Sequence, residues 1–134
     1  MNLSTSINLK KTMFSKLISL NITQNKVLKM FNINCLSKSL KILKICGKSK
    51  INFKKCVLIE DLNISKNSTI KDINFLSKSL KILNISGNKC LLLENGFKDC
   101  VLIENLYISH NMNIKNIKFL AKHLTKLDIC SLLE

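Results

Sequence analysis

Arginine, proline and tryptophan are absent from this chain of 134 residues, tyrosine occurs once and glycine three times. Each gap removes a class of behaviour. Without arginine there is no planar guanidinium fork, the group that reads guanine edges and clamps phosphates with two parallel bonds. With one Tyr and no Trp, the aromatic platforms on which single-stranded nucleic acids stack their bases are scarce. No apolar run approaches the roughly 18 residues of a membrane span. The N-terminal stretch MNLSTSINLKKTMFSKLISLNI lacks the apolar run of about 7–15 residues and the small-residue cleavage site of a secretory leader. There is no Gly-rich phosphate loop, no His-Glu-x-x-His and no nucleophile elbow. There is no Cys-x-x-Cys pair, and His110 and His123 do not stand at a zinc-binding spacing. The expectation is a protein with no catalytic residues, no cofactor and no metal.

Acidic residues are also few. Eight face 22 basic ones, every one of them Lys, for a net charge of +14. Such a balance ordinarily points to nucleic acid or an anionic membrane surface. Composition offers a second cause. Lys, Asn, Ile and Leu fill much of the chain, and their codons are AT-rich, whereas Pro, Arg, Gly and Ala lean on GC. A strongly AT-rich genome, such as those of insect poxviruses, some giant viruses, amoebae and protozoan parasites, produces the same bias. The lysine count is therefore weak evidence for a polyanion by itself.

What the chain does contain is repetition. LSKSLKIL occurs at Leu36–Leu43 and again at Leu76–Leu83, and CVLIE at Cys56–Glu60 and Cys100–Glu104. IKDINFLSKSLKILNIS from Ile70 realigns with IKNIKFLAKHLTKLDIC from Ile114. A long period of 40–44 residues divides into two unlike half-repeats, each with one Leu/Ile-x-x-Leu-x-Ile core. The middle leucines are Leu20, Leu43, Leu62, Leu83, Leu106 and Leu127, spaced 19–23 residues apart. Three positions after the final Ile come Asn25, Lys48, Asn67, Asn88, Asn111 and Leu132.

Six cores in phase, four ending in Asn, resemble the Leu-x-x-Leu-x-Leu-x-x-Asn signature of the leucine-rich-repeat family over nearly the whole chain. Two half-repeats, FKKCVLIEDL and GFKDCVLIENL, resemble the Phe-x-x-Cys-x-x-Leu segment of its BspA-like subclass. The resemblance implies an α/β repeat: a solenoid with a short-stranded parallel sheet on its concave face and short helices or turns on its convex face. It also implies that the Asn side chains bond the backbone of the turn and of the neighbouring repeat, so the turns at Lys48 and Leu132 are expected to be looser or differently paired. Period-two alternation in Leu-x-Ile fits a short strand. No repeat buries its apolar face alone, so stacking must supply the core. Ile73, Phe75, Leu76 and Leu80, with Ile117, Phe119, Leu120 and Leu124 in the later copy, suit a short helical segment packing inward. A single domain is expected over residues 1–134, with 1–16 an atypical lead-in and no C-terminal cap evident. An uncapped end is a route to self-association, and a fragment of a longer array reads the same way.

Alignment also assigns the remaining residues. Cys56 and Cys100 are repeat equivalents, Cys35 aligns with Phe75 and Phe119, and Cys46 and Cys130 align with Thr23, Ser65, Ser86 and Ser109. The six cysteines, Cys90 included, therefore read as free thiols filling repeat positions in a reducing compartment, the cytoplasm (of the host, for a viral source). The positions flanking the core leucines face outward from the sheet. The central row reads Asn21, Lys44, Asn63, Asn84, Tyr107 and Asp128; the preceding row reads Ser19, Ile42, Asp61, Ile82, Asn105 and Lys126. That strip is nearly neutral, while Lys38, Lys41, Lys78, Lys81 and Lys122 fall on the edges and convex side. The function expected is a non-catalytic protein-interaction module, binding through Ile42, Lys44, Asn63, Asn84 and Tyr107, with Tyr107 as anchor because aromatics dominate interface hot spots. A viral source would make the partner a host protein. The alternative is electrostatic binding of nucleic acid or another polyanion through the convex lysines.

Overall fold

The computed structural model describes residues 14–23 and 30–130. Each of the six repeat cores forms one three-residue strand: β1 (Ser19–Asn21), β3 (Ile42–Lys44), β5 (Asp61–Asn63), β6 (Ile82–Asn84), β7 (Asn105–Tyr107) and β8 (Lys126–Asp128). They assemble into one parallel sheet in the order β1-β3-β5-β6-β7-β8. Two further strands, β2 (Met30–Asn32) and β4 (Lys50–Asn52), form a separate parallel pair that the hydrophobic pattern did not indicate.

The register follows the sequence repeat. Leu20, Leu43, Leu62, Leu83, Leu106 and Leu127 pair in succession along the sheet. The first five are fully buried; each contributes roughly 1.5–3 kcal/mol by leaving water. The terminal Ile of each core extends the ladder by one bond: the N–H of Ile22, Ile64, Ile85 and Ile108 each donates to the next repeat at 2.9 Å, and that of Ile45 at 2.7 Å. On β8 the equivalent side chains stay exposed, Leu127 at 40% and Ile129 at 59%.

After each inner strand the chain turns through a residue with positive φ: Gly47 (78°), Lys66 (58°), Gly87 (97°) and His110 (59°). The next residue divides the repeats into two kinds. Asn67 and Asn111 are buried and do what the resemblance implies. Asn67 Nδ2 donates to the Ser49 carbonyl at 3.2 Å, and Asn111 Nδ2 to the Ile85 carbonyl at 2.7 Å. Asn88 does not: it is exposed, like Lys48 at the equivalent position. In both of those turns glycine occupies the left-handed position without steric cost, and the following side chain points to solvent. The positions of Asn25 and Leu132 lie outside the described residues, as do most of the 1–16 lead-in and the C-terminal residues 131–134.

Among the described residues the returning segments carry four three-residue 3-10 helices, Asn34–Leu36, Asn74–Leu76, Glu94–Gly96 and Lys118–Leu120. Ile73, Leu76, Leu80 and Leu120 are buried, while Phe75, Ile117, Phe119 and Leu124 pack against the core from its edge. The helical segments expected there are thus single tight turns and no longer. Phe53, Cys56 and Ile59, with Phe97, Cys100 and Ile103 in the later copy, are all buried. No helix among the described residues is long and apolar enough to cross a membrane.

Candidate functional site

Period-two alternation fixes which side chains leave the sheet outward. In β3, β5, β6 and β7 the central Leu is buried and its two neighbours are half-buried. The strand register lines these neighbours into two continuous rows. One runs Ser19, Ile42, Asp61, Ile82, Asn105, Lys126, and the other Asn21, Lys44, Asn63, Asn84, Tyr107, Asp128. All five residues expected to bind a partner, Ile42, Lys44, Asn63, Asn84 and Tyr107, lie together on this face.

Their roles within the protein differ. Asn63 Oδ1 accepts the N–H of Ser65, and Asn84 Oδ1 that of Ser86, each at 3.0 Å. Asn21 does the same for Thr23 at 3.0 Å and also accepts its hydroxyl at 2.8 Å. These are side-chain turns that satisfy the backbone where the strand ends. The asparagine oxygens are therefore engaged within the protein, while none of the three amide nitrogens donates to another of the described residues. Sequence spacing placed these residues on the face but gave no sign of that second task.

Tyr107 is covered on one side. The Lys126 ammonium stands 5.1 Å from its ring centroid, a cation–π distance. Lys126 belongs to the preceding row on β8, so it reaches Tyr107 diagonally across the strands. At the far end of β8, Asp128 Oδ1 accepts the Ser109 hydroxyl at 2.8 Å.

Asp61 is the electrostatically unusual member. Its register neighbours are Ile42 on one side and Ile82 on the other. Burial between them pushes its carboxyl above the ordinary value, and the nearby Lys44 charge partly opposes this. An aliphatic–carboxylate–aliphatic row results, with Lys44 beside it.

Lys38, Lys41, Lys78, Lys81 and Lys122 are all exposed and lie between strands. Lys41 alone among them pairs with an acid in the described residues, Glu60 at 3.4 Å; both partners are about half exposed, where such pairs contribute little. His110 is exposed in its turn. Among the described residues no group of three or more His, Cys, Asp or Glu is placed to hold a metal ion. No family model matches the chain, and neither does any curated protein or solved structure.

Proposed function

We propose that this chain is a leucine-rich-repeat solenoid whose strands line a concave, non-catalytic surface for another protein. The observation that carries the reading is the composition of the sheet face. Its rows combine half-buried Ile42, Ile82 and Tyr107 with neutral polar side chains already held in position, and charge on them is sparse and of both signs. Apolar and aromatic side chains set among fixed polar ones are the pattern of a protein interface. Extended surfaces of this kind are what stacked repeats create. The partner is a host protein if the source is a virus. Six free thiols support the reading of a reducing, cytoplasmic setting.

Affinity capture from the native cell tests it. Tyr107→Ala and Ile42→Ser alter the face without removing an asparagine turn. Loss of the same captured protein by both variants supports the reading; a partner list indifferent to both rejects the sheet face.

A second reading rests on the lysines between strands. Lys38, Lys78 and Lys122 recur at spacings of 40 and 44 residues and are all exposed, which places one cation per long repeat along the array. Binding of duplex DNA through them would weaken steeply with salt as counterions are released. Affinity that stays flat from low to physiological ionic strength removes this reading.

A further inference from the structure

Outside the strands of the six-stranded sheet the chain builds a related aromatic unit twice. Phe53 meets Phe75 edge to face, with centroids 5.4 Å apart and planes at 66°. Phe97 meets Phe119 in the same way, at 5.4 Å and 61°. Cys56 and Cys100 are buried beside them, and each thiol donates to a carbonyl of the preceding half-repeat, Ile33 or Ile73, at 3.4 Å. Residues 50–56 therefore correspond to 94–100, and 70–76 to 114–120, both offset by 44.

The two units differ most in one segment: Lys50–Asn52 is strand β4, whereas the corresponding Glu94–Gly96 is a 3-10 turn, and the residue that opens the segment changes charge. In the later unit Glu94 reaches across to the neighbouring segment. Its Oε1 accepts the N–H of Lys115 and that of Asn116, the latter at 3.0 Å. These bonds, led by the one from Lys115, hold its carboxyl below the ordinary value. In the earlier unit the corresponding residue is Lys50. The N–H groups that correspond to those of Lys115 and Asn116 belong to Lys71 and Asp72, and no acceptor meets either among the described residues. Between these segments lies an open cleft of about 700 Å³, a size typical of small-molecule sites. Ile51, Phe53, Ile70 and Phe75 give it apolar walls, and Lys50, Lys54 and Lys71 give it cations. Asp72 is the one acid lining it, and its Oδ1 is engaged by the Asn74 N–H at 2.9 Å.

We propose that this cleft binds an aliphatic carboxylic acid, its carboxylate seated on the Lys71 and Asp72 N–H groups as Glu94 is seated on those of Lys115 and Asn116. Two successive N–H groups converging on one oxygen make a small anion-binding concavity. Lys50 then supplies positive charge at the position from which the later unit supplies the anion itself. The alkyl chain lies against Phe53, Phe75 and the two isoleucines. The site is separate from the sheet face and does not depend on a protein partner being found there.

Titration of the full-length, nitrogen-15-labelled chain with sodium octanoate, followed by amide resonances, tests it. The expected result is saturable shifts at Lys71 and Asp72 with Lys115 and Asn116 unmoved. Lys50→Glu supplies the carboxylate in cis and abolishes the octanoate response. Lys50→Gln weakens binding about tenfold or more, the loss of one charge-assisted contact. Glu94→Lys empties the later unit, and Lys115 and Asn116 become responsive. Lys50 is exposed, so its two variants keep the fold, which their remaining amide resonances verify. The proposal is overturned if Lys71 and Asp72 do not shift at millimolar octanoate. Equal shifts beside surface lysines generally, or an equal response to octanol, also overturn it. So does a response of the two amides to a capped acidic hexapeptide but not to octanoate, which would assign the cleft to a protein partner.

Discussion

Asn67 ties its own turn to Ser49 of the preceding half-repeat through one buried amide. Its Nδ2 donates to the Ser49 carbonyl at 3.2 Å, while its Oδ1 accepts the N–H of Thr69 and of Ile70, each at 2.9 Å. Removing it leaves the N–H groups of Thr69 and Ile70 without their acceptor and breaks one of the two bonds to the Ser49 carbonyl, which keeps the Thr69 hydroxyl at 2.9 Å. Asn67→Ala is expected to lower the unfolding free energy by about 3 kcal/mol. Asn88 occupies the same repeat position but is exposed, so Asn88→Ala is expected to change stability by no more than about 0.5 kcal/mol. Urea unfolding of the two variants side by side decides this, and equal losses would contradict the division of turns into two kinds.

Gly96 and Gly47 make a second contrast. A Cβ on Gly96 would overlap the Lys71 carbonyl oxygen, and the Ile73 N–H donates to the Gly96 carbonyl at 2.7 Å. Two backbones approach there, so neither can retreat alone. Gly96→Ala is expected to cost about 3 kcal/mol or more. Gly47 has φ of 78°, but a Cβ added there would meet nothing within 4 Å. Gly47→Ala therefore carries only the left-handed backbone penalty of about 1–2 kcal/mol. Thermal midpoints of the two variants should fall in that order.

These contrasts show what the amino-acid pattern could and could not reveal. Leu20 through Leu127 recur in phase, and that recurrence alone predicted six strands and their pairing, because shifting a strand by one residue would expose its leucine. The left-handed turn positions were only half legible, since Gly47 and Gly87 are glycine but Lys66 and His110 carry no sign of a positive φ. Asn88 matched the motif and still failed to fill the role, because Gly87 before it sets a different turn. The β2–β4 pair has no alternating pattern long enough to read. The cleft was hidden for another reason. The Lys50 and Glu94 exchange is visible in the sequence, but its meaning depends on which backbone N–H groups face each residue.

The thiols divide by burial. Burial pushes Cys56 up to about 12, with Cys35 adding to the effect, and burial together with Asp99 and Asp72 pushes Cys100 up to about 12. Cys90 is raised as well, by burial first, while Cys130 is exposed. Thiolate is the reactive form. Iodoacetamide at pH 8 is therefore expected to label Cys130 first and to leave Cys56, Cys90 and Cys100 unlabelled until the protein unfolds. Peptide mapping by mass spectrometry over a time course checks the order; early labelling of Cys56 or Cys100 would show that the repeats open locally.

Asp61 gives the sheet face a pH dependence whose sign can be fixed. Burial between Ile42 and Ile82 raises its folded value above the ordinary 3.8, against the opposing pull of Lys44. Below 3.8 the carboxyl is protonated in both folded and unfolded chains and costs nothing. As pH rises through that value the unfolded chain releases its proton first, so stability falls until the folded group also ionises, and it stays lower above that. Asp61→Asn removes this loss. The variant should melt at a higher temperature than the wild type at neutral pH, and the gap should close below pH 3.8. A wild type more stable than the variant at neutral pH would mean that Lys44 outweighs burial. The same sign carries into binding. A protein seated on Ile42 and Ile82 dehydrates Asp61 further and draws a proton onto it, so affinity for such a partner should rise as pH falls toward the acidic range, and Asp61→Asn should flatten that rise.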